Sequence, residues 1–173
     1  MKDIWIISDT HFSHANICKF LRDDGSSLRP WDNVDEMDEA LIENWNSVIK
    51  PQDKVYHLGD FSMDWKTLPE FTEKLHGHKR LIRGNHDMCP TAEYMKYFED
   101  IYGVRVFHEE KMIFSHYPIH EVSIAHKDPK WLNVHGHLHY HKMKEPFYFN
   151  ASVECINYTP IHFDELREIQ NKL

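Results

Sequence analysis

The stretch IWIISDTH, residues 4–11, joins four apolar residues to a polar end in which Asp9 and His11 are two positions apart. Four consecutive β-branched or aromatic residues are typical of a short buried strand. The end of a strand does not by itself explain the presence of a carboxylate and an imidazole. The stretch therefore indicates a strand that carries polar, chemically active side chains at its carboxyl end.

The same arrangement recurs along the chain. Four further apolar runs end in Asp, Asn or His, and they read VYHLGD at 55–60, RLIRGNHD at 80–87, MIFSH at 112–116 and NVHGHLH at 133–139. In α/β sheets, ligands bind beyond the carboxyl ends of strands, so residues that are distant in sequence can converge there. We therefore expect these polar ends to form one site.

The spacing of the apolar runs predicts an α/β fold, because short strand-like runs alternate with segments of helical periodicity. We predict strands at 3–7, 54–58, 79–83, 104–107, 111–115, 133–135 and 147–152, and helices at 35–49, 65–75, 92–98 and 164–170. No repeat and no long Pro/Gly-rich linker divides the chain, so we expect residues 1–173 to form a single domain.

The composition limits the classes of partner. A formal net charge of −8 argues against a protein that binds nucleic acid by bulk electrostatics, because such proteins carry a basic surface. A local basic strip could still come from Lys127, Lys130, Lys142 and Lys144, although a charge run is more often a solvated face. The apolar run at 4–7 is too short for a signal peptide or a membrane span. We expect a cytoplasmic protein without membrane association.

The side chains at the strand ends are of the types that bind divalent metals. Carboxylate, amide oxygen and imidazole suit Mn, Fe, Zn and Ni, and the absence of cysteine from the set disfavours a closed structural zinc site. Gly59, Gly84 and Gly136 each precede a presumed ligand. The chain turns sharply there, so we expect a positive φ or a close approach of the backbone at these glycines.

The strand ends together resemble the signature of the calcineurin-like metallophosphoesterases: Asp9-x-His11, Gly59-Asp60, Gly84-Asn85-His86-Asp87, His116 and Gly136-His137-x-His139. The specificity comes from the ordered combination over residues 9–139, since a lone GD or DxH pattern is weak. The resemblance implies a four-layer α-β-β-α sandwich of two mixed β-sheets flanked by helices, the metallo-dependent phosphatase fold. The short chain is most similar to the compact bacterial, archaeal and phage members of this superfamily.

The resemblance also implies two divalent metal ions, with Mn favoured and Fe, Zn or Ni as alternatives. One ion would be bound by Asp9, His11 and His139, and the other by Asn85, His116 and His137. Asp60 would bridge them, since a carboxylate can span ions that are about 3.5–4 Å apart. A water shared by the two ions would ionise near neutral pH and attack phosphorus in line.

His86 and Asp87 are the candidate catalytic residues. His86 would stabilise the transferring phosphoryl group or protonate the leaving alkoxide, because the ordinary pKa of histidine lies near neutrality. Asp87 would either orient His86 or support the turn. The candidates for substrate binding are His14, Asn16 and Tyr117, for which the alternatives are hydrogen bonding within a loop or simple packing.

These features predict a phosphoester hydrolase that favours phosphodiesters and acts on a small phosphoester or nucleotide. The alternatives are a phosphomonoesterase, a hydrolase directed at nucleotides or nucleic acids, and a metal-binding scaffold without turnover. The complete set of ligands and the presence of His86 favour an enzyme over a scaffold. The segment FSMDWK at 61–66 lacks the GDxxDRG continuation of the protein Ser/Thr phosphatases, which argues against that activity.

Overall fold

A computed structural model describes residues 2–124 and 131–173. The strands are β1 Ile4–Ile7, β2 Lys54–His57, β3 His78–Ile82, β4 Asp100–Tyr102, β5 Val104–Phe107, β6 Met112–Ser115, β7 Leu132–His135, β8 Tyr148–Asn150 and β9 Ile161–His162. The helices are α1 Val34–Val48, α2 Leu68–Lys74, α3 Thr91–Tyr94 and α4 Phe163–Gln170. Of the four lysines considered for a basic strip, Lys127 and Lys130 lie outside the described residues, whereas Lys142 and Lys144 are exposed.

The strands form two mixed β-sheets. The first has the order β4-β3-β2-β1-β9, in which all neighbours are parallel except β9, which runs antiparallel to β1. The second has the order β5-β6-β7-β8, with β5 antiparallel to β6 and the other neighbours parallel. The predicted α/β fold with two mixed sheets and helices is thereby confirmed.

Successive residues of β1 pack on opposite faces of the first sheet, as strand geometry requires. Ile6 lies in the core between the two sheets, together with Tyr56 from the first sheet and Phe114 and Val134 from the second. Ile7 lies in the other core, where buried side chains of α1 and α2 pack against the first sheet. The first sheet is therefore covered on both faces, which explains why β1 is a continuous apolar run rather than an alternating pattern.

Helix α1 begins and ends close to its predicted limits of 35 and 49. The side chain of Asn33 accepts a hydrogen bond of 2.9 Å from the backbone N–H of Glu36, which caps the first turn. Met37, Leu41 and Trp45, at helical spacing, form the buried face. The apolar stripe thus determines where the helix packs, and the cap determines where it begins.

Two elements differ from the prediction. The helix predicted at 92–98 is wrong in length, because α3 ends at Tyr94 and the chain continues in turns. The backbone N–H of Glu99 donates a 2.8 Å hydrogen bond to Lys79 O, which draws the chain out of the helix and into β4. The helix predicted at 65–75 begins instead as a 3-10 turn at Trp65–Thr67, which precedes α2.

The strand order brings the polar strand ends together. Parallel pairing of β1, β2 and β3 places the residues that follow them at one edge of the first sheet. The residues after β6 and β7 lie beside one another in the second sheet, where Gly136 N donates a 2.9 Å hydrogen bond to His116 O. A bridge between Ser8 and Ser152 joins the two sheets at this edge. Among the described residues, none of the helices has the length and apolar character needed to cross a membrane.

Candidate metal centre

The strand ends form two adjacent groups of potential metal ligands. Asp9, His11 and His139 make up the first cluster, and Asp60, His116 and His137 make up the second. Within each cluster, the donor atoms lie within 4.8 Å of one another. This grouping matches the division into two ion sites that the sequence predicts, and their binding of metal stays a prediction.

Asp60 lies between the two clusters. Its Oδ2 atom is 3.6 Å from His11 Nε2 and 3.4 Å from His116 Nε2, so one carboxylate faces both groups. Burial alone would raise the pKa of Asp60, but the contacts with His116 and His11 and the hydrogen bond from His86 N hold it at about 2. Asp60 is therefore an anion at neutral pH, as a ligand shared by two cations requires.

Asn85 completes the second cluster. Its Oδ1 atom lies 2.9 Å from His116 Nε2 and 3.0 Å from His137 Nδ1. All seven side chains that the sequence predicts as ligands are thus brought to one place. Their donor atoms are two carboxylates, one amide and four imidazoles, the set expected for borderline divalent metals.

The backbone at the site adopts a conformation that L-residues rarely use. Five of the predicted ligands have positive φ angles: Asp9 at 58°, His11 at 50°, Asp60 at 56°, His137 at 68° and His139 at 49°. Such conformations cost about 1–3 kcal/mol each and persist only where the surrounding structure enforces them. Five positive φ angles at one site show that the backbone is strained there, and this conformation directs the predicted ligands toward one another.

The glycines act in the two ways that the sequence predicts. Gly59 has a φ of +104°, a conformation that favours glycine. A Cβ atom at Gly136 would overlap Ser8 Oγ and Asp9 Oδ2, and one at Gly84 would overlap the carboxylate of Asp60. The first glycine therefore permits the turn, and the other two permit close approach of the backbone to the ligands.

His11 shows that these residues fit a cation. Both of its ring nitrogens are buried, and neither has a hydrogen-bond partner among the described residues. Burial lowers the pKa of His11 well below its ordinary value, so the imidazole is neutral and offers a lone pair. A buried polar atom without a partner is costly, and a bound metal ion would satisfy one of the two nitrogens.

The two candidate catalytic residues occupy different environments. Asp87 is buried, and its carboxylate accepts hydrogen bonds from Asp60 N at 2.8 Å, Phe61 N at 3.1 Å and Gly84 N at 2.8 Å. These contacts support the turns, which was one of the two roles left open for it. His86 is exposed, and its ring centroid lies 5.4 Å from that of His11. His86 is therefore the one of the pair that a substrate can reach.

Two of the three candidates for substrate binding lie beside the clusters. The ring of His14 is 5.4 Å from that of His11, next to the first cluster. Tyr117 is 50% exposed, and its ring lies 4.5 Å from that of His137, next to the second cluster. Asn16 is exposed at the start of the 3-10 turn Ile17–Lys19.

Three residues that no sequence motif indicates support the first cluster with buried side chains. Ser152 Oγ donates a 3.0 Å hydrogen bond to Asp9 Oδ2. Glu154 Oε1 lies 3.1 Å from His139 Nδ1 and accepts a 2.9 Å hydrogen bond from Arg29 Nε. None of the three belongs to a motif, and Arg29 and Glu154 are 125 positions apart, so no local pattern could have identified them.

Two donor clusters around a shared carboxylate, at the strand ends of a two-sheet α/β fold, form a candidate dinuclear metal site. The chain belongs to the calcineurin-like phosphoesterase family, which it matches over residues 2–170. The resemblance found in the sequence is thereby confirmed. Members of this family bind two divalent metals and hydrolyse phosphoesters with their help.

The chain is also similar to individual proteins from an archaeon, a phage and a bacterium. The chain is 36% identical to the uncharacterized protein MJ1445 of Methanocaldococcus jannaschii over an alignment 182 positions long, which covers 99% of this chain and 93% of that protein. It is 34% identical to the gene 66 protein of Mycobacterium phage L5 over 92 residues, or 50% of this chain and 41% of the phage protein. The crystal structure of the protein of unknown function AQ665 from Aquifex aeolicus superposes with a TM-score of 0.72 at 28% identity, covering 98% of this chain and 100% of that one.

Proposed function

We propose that this metal-dependent phosphoester hydrolase acts on phosphodiesters. The observation that supports this preference is the presence of an accessible aromatic surface beside each cluster. Phe20 is exposed and packs edge-on against His14 near the first cluster, and Tyr117 lies at the second. A phosphodiester has two ester substituents, and each surface would contact one of them.

In this proposal the seven predicted ligands hold the ions, and the exposed residues Phe20, His86 and Tyr117 contact the substrate. Asp9, His11 and His139 would hold one ion, Asn85, His116 and His137 the other, and Asp60 would contact both. When bound, two divalent cations, with Mn favoured, lower the pKa of a shared water and offset the charge of the phosphoryl oxygens.

The charge of the donor set suits an anionic substrate. Asp9 and Asp60 are the only carboxylates among the seven predicted ligands, so two dications leave the centre with a net positive charge. A phosphate group is therefore attracted to the site although the chain as a whole carries a net charge of −8. That overall charge disfavours binding of nucleic acid, so the proposed substrate is a small phosphoester or nucleotide. The proposed location is the cytoplasm.

His86 is the proposed proton donor. Its backbone N–H donates a 2.8 Å hydrogen bond to Asp60 Oδ1, which fixes the residue at the edge of the centre while its ring faces solvent. From that position the imidazole would donate a proton to the leaving oxygen as the ester bond breaks. Asp87 would act through the turns that carry Asp60 and Gly84.

The test compares matched chromogenic phosphomonoester and phosphodiester substrates. Chelator-stripped protein is titrated separately with Mn, Ni, Zn, Mg and Fe, and kcat/KM is measured for each substrate. We expect restored turnover with a higher kcat/KM for the diester. Faster hydrolysis of the monoester would overturn the diester preference, and metal binding without turnover of either substrate would favour a scaffold.

A further inference from the structure

Arg29 is a buried arginine directly behind the first cluster, with 1% of its surface exposed. Its guanidinium donates hydrogen bonds to Asp9 O at 2.6 Å and to Thr10 O at 2.8 Å. It therefore holds the backbone between two predicted ligands, Asp9 and His11. Burying a cation costs several kcal/mol unless the charge is paired, so this position requires a partner.

The partner of Arg29 is Glu154, whose side chain is fully buried. Its Oε1 atom accepts the 2.9 Å hydrogen bond from Arg29 Nε and lies 3.1 Å from His139 Nδ1. A carboxylate can only accept, so the proton of this second contact is on Nδ1 of His139. The other ring nitrogen, Nε2, is then left with a lone pair that is available to a cation.

The histidines of the second cluster have different partners. His116 Nδ1 faces the backbone carbonyl of Leu58 at 2.8 Å. His137 Nδ1 lies 3.0 Å from the amide oxygen of Asn85, which is itself a predicted ligand. Both of these partners are neutral, whereas the first cluster has a buried, charge-paired carboxylate behind His139.

We propose that Arg29 and Glu154 are positioning residues that fix His139 and the Asp9–His11 segment, so that the first cluster binds its ion more tightly than the second. The inference rests on the two-metal site of the proposed function. A carboxylate that orients a ligating histidine typically contributes a factor of about 10–100 in metal affinity. The two ions would then bind in two separate steps.

The experiment is a titration of the metal-free protein with Co²⁺, in which the absorption spectrum and a competing chromophoric chelator report each binding step. We expect two resolved steps for the unmodified chain. Glu154→Leu should weaken the tighter step by about 10–100-fold and leave the weaker one within about twofold. Glu154→Gln should lose less, because its amide oxygen can still accept a hydrogen bond from Nδ1.

The matched control is Glu110→Gln, which removes one of the two acidic partners of Arg167 from a partly exposed ion pair of 3.2 Å and leaves Asp164 as the other. Because an exposed pair contributes little, both binding steps should be unchanged. If Glu110→Gln weakened the tighter binding step as much as Glu154→Leu does, the effect would come from overall charge and the proposal would be overturned.

A second variant separates positioning from simple charge pairing. Glu154→Leu leaves Arg29 buried without its partner, whereas Arg29→Met combined with Glu154→Leu removes both charges. Compared with Glu154→Leu alone, we expect the double variant to regain part of the lost melting temperature of the metal-free protein, because the buried charge is gone, but not the affinity of the tighter step. The recovery should be incomplete, because Asp9 O and Thr10 O lose the hydrogen bonds from Arg29. Recovery of both the melting temperature and the affinity would show that Arg29 and Glu154 only balance each other's charge, and would overturn their positioning role.

Other outcomes separate this inference from the proposed function. Two equal binding steps in the unmodified chain, or equal weakening of both steps by Glu154→Leu, would overturn the positioning role and leave the two-metal site intact. Failure to bind two ions at all would overturn the inference and the proposed function together.

Discussion

The metal centre has a buried floor and an exposed rim, and the two regions are built differently. We define the floor as Asp9, His11, Asp60 and His116, which are between 0 and 2% exposed. We define the rim as His14, His86 and Tyr117, none of which is a predicted ligand and all of which are partly or fully exposed. Donors for an ion must be fixed and shielded from water, whereas groups that meet a substrate must be accessible. Changes to the floor should therefore alter metal content, and changes to the rim should alter kcat or KM while metal content stays the same.

The largest effect is expected for Asp60→Asn. The amide keeps the shape of the side chain and tolerates the φ of 56° at this position, but it removes the charge shared by the two clusters. We expect turnover to be abolished and binding of both metals to weaken, as measured by elemental analysis and a diester assay. Hydrolysis near the level of the unmodified chain would contradict the bridging assignment.

His86→Ala tests the rim. Metal content should stay nearly intact, while kcat should fall by roughly 10²–10⁴-fold, the usual effect of a positioned acid–base group. The comparison uses the same metal-loaded preparations for elemental analysis and kinetics. Loss of both metals would show instead that His86 is a ligand and that the boundary between floor and rim is misplaced.

A smaller effect is expected for Tyr117→Ala. Loss of an aromatic contact with an ester substituent should raise KM by about 2–10-fold for an aromatic diester, with kcat and metal content unchanged. Tyr117→Phe, which keeps the ring, is the matched control and should retain the original KM. An unchanged KM in the alanine variant would limit Tyr117 to packing against His137.

The smallest effect is expected for Asp38→Asn, which changes a residue behind the floor. Asp38 is 8% exposed and its Oδ2 accepts a 3.0 Å hydrogen bond from Ser13 N. Burial, with help from Asp35 and Glu70, raises the pKa of Asp38 to about 7, against the opposing effects of Ser13 N and Arg29. The folded chain therefore keeps this proton up to about pH 7, whereas the unfolded chain releases it near the ordinary value of 3.8.

The unfolded chain thus binds fewer protons than the folded chain across this window, so the contribution of Asp38 to stability falls as the pH rises from about 4 to 7. The amide that replaces this carboxyl group in the Asp38→Asn variant cannot ionise and would avoid the loss. The melting temperature of the variant minus that of the unmodified chain should increase from pH 5 to pH 8. The increase should be about 2–4 °C for each kcal/mol of destabilisation that ionisation of Asp38 causes in the unmodified chain. Calorimetry at the two pH values measures this, and a constant difference would show that Asp38 does not titrate in that range.

The fold could be predicted where the local signal was strong. The runs at 54–58 and 104–107 gave β2 and β5 within one residue, because β-branched residues lie between clear turn signals. Strands β4 and β9 were missed since they have only three and two residues. Each forms through pairing at an edge of the first sheet, a tertiary contact that leaves little trace in the local sequence.

The site could be predicted to the extent that its residues belong to motifs at strand ends. Gly136-His137-x-His139 divides its two histidines between the clusters, as the sequence predicts. Arg29 and Glu154 could not be identified in this way, because a lone charge in a sequence is usually a solvated one. What buries them is the approach of segments that are 125 residues apart.

The hydrogen bonds to Asp9 bear on how the protein is made. Asp9 accepts from His137 N and from Ser152 Oγ, which follow it by 128 and 143 positions. At a synthesis rate of about 5–20 residues per second, roughly 7–30 seconds pass between the addition of Asp9 and of Ser152. Strands β1 to β3 can pair early in this interval, whereas His139 of the first cluster is added only 13 residues before its end. The metal centre is therefore among the last parts of the nascent chain to be completed.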